Sequence, residues 1–97
     1  GKYRVTFICS GYASGGDRGY AGGQIKYSSN SGSSYSNLIR CINNAHADSA
    51  YFQANASVLI EITNTSTQSI RFNSYANGNV VLTYNDNSTM CIFEQIG

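Results

Sequence analysis

Proline and tryptophan are absent from this 97-residue chain, and charged side chains make up only 11% of it. So few Lys, Arg, Asp and Glu leave little material for solvated helix faces and the ion pairs that line them. A formal net charge of +1 gives no general attraction to nucleic acid or to anionic membranes. Long apolar runs are missing too, and none approaches the roughly 18 residues that a membrane-spanning helix needs. There is one histidine, His46, and no C-x-x-C pair among the three cysteines, which disfavours a zinc site. Cys9, Cys41 and Cys91 are far apart and odd in number. Buried free thiols suit them, because free Cys packs as a small hydrophobe. A Cys9–Cys91 disulfide joining the two ends of a secreted domain is the alternative.

In place of charges come Ser, Thr, Asn, ten Gly and eight Tyr, a composition that favours strands joined by turns. The length suits one domain, residues 1–97, and the 41% hydrophobic content is enough for a packed core. A chain this short buries only about 60–70% of its unfolded surface, so a lone monomer is marginal. "KYRVTFIC" alternates, with Tyr3, Val5, Phe7 and Cys9 pointing one way, and reads as a half-buried strand. Residues 10–23 hold two Gly-Gly pairs and read as a connection. Short strands are expected over 24–29, 54–63, 69–75, 80–85 and 89–96. Turns fall at 30–34, at 64–68 and at Asn77-Gly78, a strong hairpin signal.

The segment "SNLIRCINNAH", residues 36–46, fits either period. Leu38, Ile39, Ile42 and Ala45 fall on one face of a helix, yet Asn43-Asn44 would sit in its last turns, where Asn is disfavoured. The surrounding strands, spaced by short turns, favour a strand ending in a turn at Asn43-Asn44. The fold expected is therefore all-β, a two-sheet sandwich.

"GKYRVTF" resembles the Gly-x-Tyr-x-aromatic/aliphatic strand of the jelly-roll superfamily shared by complement-type globular heads and tumour-necrosis-factor-like trimers. "GGQIKYSSNSG", "ANASVLIEITNTSTQSIRF" and "YNDNSTMCIFEQIG" follow in the order of that family's later motifs. The Ser/Asn-rich pattern looks most like the C-terminal tip domains of bacteriophage tail fibres and related virion proteins. Two departures stand out. The family's one or two strands before Gly1 have no counterpart, so the chain reads either as the C-terminal part of a longer fibre protein or as one that completes its sheet in an assembly. The closing aromatic-Ser-Gly-aromatic signature is replaced by "TMCIFEQ". The resemblance implies a jelly-roll-like sandwich that associates as a homotrimer on a virion, with Tyr3, Phe7, Val81 and Phe93 as candidates for the subunit interface.

Catalytic residues are not apparent. His46 is isolated, and Asp17, Asp48, Glu61, Asp86 and Glu94 are scattered singly, without the pairing that carboxylate hydrolysis uses. Asp48 and Asp86 with neighbouring Asn offer oxygen ligands of the calcium type, but no metal or cofactor is expected. Lys2, Arg4, Lys26 and Tyr27 hint at a nucleic-acid surface, which the accompanying acids weaken. What remains is a Tyr-, Asn-, Ser- and Gly-rich surface of the kind recognition loops use. The residues expected to bind a host-surface glycan or protein are Asp17, Arg18, Tyr20, Tyr75, Asn77, Asn79, Tyr84, Asn85 and Asp86. The function expected is non-enzymatic attachment by a virion tip, without nucleic acid and without membrane insertion. The alternative is a secreted α+β toxin or effector subunit stapled by a disulfide.

Overall fold

A computed structural model of the chain describes residues 1–13, 19–45, 51–77, 80–83 and 89–97. Among them run seven strands: β1 (Lys2–Ala13), β2 (Gly19–Ser28), β3 (Ser36–Ala45), β4 (Tyr51–Glu61), β5 (Ser69–Asn77), β6 (Val80–Thr83) and β7 (Met90–Gln95). No helix occurs among the described residues, and residues 36–45 are a strand. All pairings are antiparallel. β1 is central in one sheet, between β4 and an edge that β6 and β7 share; β2 is central in the other, between β3 and β5. The chain changes sheet between β1 and β2, between β3 and β4, and at both ends of β5. The result is an all-β, two-sheet sandwich.

The alternation of β1 builds its core. Val5, Phe7 and Cys9 are buried, and they pack with Ile25 of β2 and Ala56 of β4. Tyr3, Ile39, Cys41, Val58, Ile60, Ile70 and Phe72 surround this centre. Each large apolar side chain withdrawn from water here contributes about 1.5–3 kcal/mol. Along β4, Ala54 and Ala56 lie opposite Cys9 and Phe7, so small residues face larger ones. Phe7 meets Phe72 at 5.3 Å between ring centroids, and Phe72 meets Phe93 edge-on at 5.7 Å.

Four local expectations change. Gly22-Gly23 lies within β2 rather than in a turn. A Cβ on Gly23 would stand 2.3 Å from the Phe7 ring, so glycine there admits the ring against the β2 backbone. Asn43 and Asn44 continue β3, in register with Ala21 and Tyr20. The Asn43 amide donates to the Gln53 carbonyl at 2.9 Å, joining the β3 edge to the β4 edge of the other sheet. The strands flanking Asn77-Gly78 are not hairpin partners, because β5 and β6 belong to different sheets; Gly78 itself lies outside the described residues. Phe7 is core rather than interface, with 4% of its surface exposed. The turn at 30–34 is as expected. The buried Ser28 hydroxyl accepts from the Asn30 and Gly32 amides, and Ser31 and Gly32 take φ of 61° and 84°.

At the shared edge of β1, Ile8 pairs with Met90 and Ser10 with Thr83. Two steps along β1 thus correspond to seven along its partner chain. The Thr89 hydroxyl accepts from the Ser10 amide at 3.1 Å beside this break.

Gly23→Ala should lower stability by roughly 1–3 kcal/mol through overpacking against Phe7. Combined with Phe7→Leu the loss should be less than the sum of the two, which urea unfolding measures. The cysteines give a second prediction. All three thiols are free, Cys9 buried and Cys91 exposed. A maleimide should modify Cys91 in the folded protein and Cys9 only on unfolding. Burial first, and then Cys41, pushes the Cys9 thiol above its ordinary 9.0. The unfolded chain therefore releases that proton first. The stabilisation is complete below pH 9 and is lost as pH rises through the folded value. Burial raises the Cys91 thiol in the same direction. Urea unfolding at pH 8 and pH 10 should show the decline, and Cys9→Ala should reduce it.

Candidate functional site

The outer face of the β2 sheet is set by the period-two rise of its three strands. Tyr20, Gly22, Gln24 and Lys26 alternate along β2 with the inward Ala21, Gly23 and Ile25. Register places Gln24 between Arg40 of β3 and Asn73 of β5. Gly22 lies between Ile42 and Tyr75, and Tyr20 between Asn44 and Asn77. Three sequence-distant strands thus bring aromatic, amide and guanidinium groups to one surface.

Gly22 is the floor of this surface. A Cβ there would lie 2.0 Å from the Cys41 carbonyl oxygen and 2.9 Å from the Tyr75 hydroxyl. With hydrogen instead, the Tyr75 side chain reaches across the bare β2 backbone, and its hydroxyl donates to the Cys41 carbonyl at 3.0 Å. Tyr20 stands edge-on to Tyr75, with centroids 6.3 Å apart and planes 72° apart. The rings, with Gln24, Arg40, Ile42, Asn73 and Ser74, line a shallow depression of about 400 Å³. Burial pushes the Tyr75 hydroxyl above its ordinary value, against the opposing pull of Arg40, so at neutral pH it remains a donor.

Of the residues expected from sequence, Tyr20 and Tyr75 meet here, and Asn77 is in register beside Tyr20. Asp17, Arg18, Asn79, Tyr84, Asn85 and Asp86 lie outside the described residues, as do His46 and Asp48. Lys2, Arg4, Lys26 and Tyr27 do not form one patch. Lys2 and Arg4 belong to the β1 sheet, where Arg4 pairs with Glu94 at 2.8 Å, while Lys26 and Tyr27 belong to β2. The Tyr27 hydroxyl is occupied by Gln68, whose Nε2 donates to it at 2.8 Å. Among the described residues no group of three His, Cys, Asp or Glu is placed to hold a metal ion.

Sequence reasoning missed Gln24, Arg40, Ile42 and Asn73 because it looked to the loops. The signal available was the spacing Tyr20-x-Gly22-x-Gln24, which puts a bare backbone between an aromatic and an amide on one strand face. Comparison with protein-family models, with curated proteins and with solved structures returned no match.

Chemically, the depression offers ring faces and edges, two primary amides and a guanidinium. These are groups that stack on sugar rings and exchange hydrogen bonds with hydroxyls. Tyr75→Phe should cost about 0.5–1.5 kcal/mol of stability by removing the bond to Cys41, read as a shift of the urea midpoint with an unchanged slope.

Proposed function

We propose that this domain is a non-enzymatic attachment module that recognises a cell-surface glycan through the outer face of the β2 sheet. The observation that carries the reading is the Tyr20–Tyr75 pair over the Gly22 backbone, rimmed by Gln24, Asn73 and Arg40. A tyrosine platform supplies rigid contact area with few rotatable bonds, and the amides fix orientation by hydrogen bonding.

The assembly belonging to this proposal is a homotrimer at the tip of a virion fibre, as the jelly-roll resemblance implies. Supporting it is the exposed aliphatic surface of the β1 sheet and its end, Leu59 at 62%, Ile96 at 45% and Ile92 at 41%. Aliphatic surface of this kind is what a small domain buries between subunits to gain stability. Three weak sites held on one fibre would then act together through raised effective concentration.

Tyr20→Ala should weaken attachment to receptor-bearing cells at least tenfold and leave the solution mass of the oligomer unchanged. Leu59→Asp should do the reverse to mass, shifting a trimer to monomer by light scattering. A wild-type protein that is monomeric at all concentrations would remove the assembly part of the proposal. Unchanged attachment in Tyr20→Ala would remove the recognition part.

A further inference from the structure

The described charges divide unevenly between the two sheets, with Lys2 and Arg4 balanced by acids in the β1 sheet. The described acids, Glu61 and Glu94, both lie in the β1 sheet, on β4 and β7. The β2 sheet carries Lys26, Arg40 and Arg71 and no described acid. Lys26 and Arg71 are direct cross-strand partners. Like charges set opposite one another on a sheet are destabilising, and an acid at either position would relieve the repulsion. Among the described residues the one ion pair is Arg4–Glu94, so none of these three cations has a carboxylate partner there. Arg71 is nevertheless held in place. Its guanidinium lies 4.1 Å over the Tyr35 ring, and the Tyr35 hydroxyl shares a hydrogen bond with Ser69 at 3.1 Å.

The order along the sheet is informative. Lys26 and Arg71 form one row, Arg40 with Gln24 and Asn73 the next, then Tyr75 across Gly22, then Tyr20. Rows two residues apart are separated by about 7 Å, so the run from cations to tyrosines covers about 20 Å. That length suits several sugar units of an extended chain. A guanidinium matches a carboxylate in a forked, two-bond geometry, and a surface whose described charges are all positive raises the local concentration of anions. The tyrosines and amides at one end suit sugar rings and hydroxyls rather than phosphate alone.

We infer that the ligand of the β2 sheet is an acidic polysaccharide whose sugars carry ring carboxylates, with Lys26, Arg40 and Arg71 as its anion contacts. This rests on the reading of that face as a glycan site and names the class of glycan. Lys26 and Arg71 meet one carboxylate together, which removes their mutual repulsion in the bound state. Arg40 meets a second nearer the tyrosine platform.

The test uses the whole chain on immobilised polygalacturonate and polysialic acid, with methyl-esterified polygalacturonate, dextran sulfate and a single-stranded oligonucleotide alongside. At low salt the protein should bind at least one of the two carboxylated polymers, and rising salt should release it. Methyl esterification should weaken binding to polygalacturonate tenfold or more, and dextran sulfate and the oligonucleotide should bind less tightly than the carboxylated polymer. Arg40→Gln with Arg71→Gln should weaken binding tenfold or more. Arg4→Gln, which removes one positive charge from the other sheet, should leave it within twofold. Equal binding to the methyl ester would overturn the acidic assignment while the glycan reading stands. Tighter binding to dextran sulfate or the oligonucleotide, or an Arg4→Gln loss as large as one from Arg40→Gln or Arg71→Gln, would also overturn it. Failure to bind any polysaccharide would overturn both.

Discussion

The approach of the β2 backbone to the Phe7 ring governs how the two sheets meet. A strand with side chains at residues 22 and 23 would have to stand off from Phe7 on one side and from Cys41 and Tyr75 on the other. Because successive residues of a strand face opposite ways, the two glycines act on different surfaces. Gly23 serves the core, and Gly22 serves the outer face. Glycine in a strand interior weakens it through backbone entropy, and here packing on both sides offsets that loss. Core geometry and site geometry are therefore linked through one dipeptide.

That link separates the two exteriors. The β1 sheet places its ion pair and much of its exposed aliphatic surface on strands whose inner residues build the centre of the core. The β2 sheet, with glycines in its central strand, has room for tyrosines lying along it. Cations on β2, β3 and β5 converge there because register, not chain proximity, sets their spacing. Electrostatic asymmetry arises in a chain whose overall charge is close to neutral.

The fold class was legible because alternation is a local property. Val5, Phe7 and Cys9 announce the inner side of β1 without knowledge of any partner, as Val58 and Ile60 do for β4. Residues 36–45 were ambiguous by themselves and were decided by the rhythm around them. Pairing was not legible. Asn77-Gly78 carries hairpin chemistry, yet the strands on either side enter different sheets. The Gly-Gly pair at 22–23 reads as a turn unless the Phe7 ring across the sandwich is known. The candidate site was half legible for the same reason. Tyr20 and Tyr75 are conspicuous as residues, while Arg40 and Gln24 become neighbours only when β3 folds back on β2.

Along one side of β1 the partner changes, from β6 at Ser10–Thr83 to β7 at Ile8–Met90. The Thr89 hydroxyl accepts from the Ser10 amide beside this change, so that amide keeps a partner. One long strand thus serves as the common template for two short ones, each aligned by β1 rather than by the other. A slip of β1 by one residue would be felt by three partners at once.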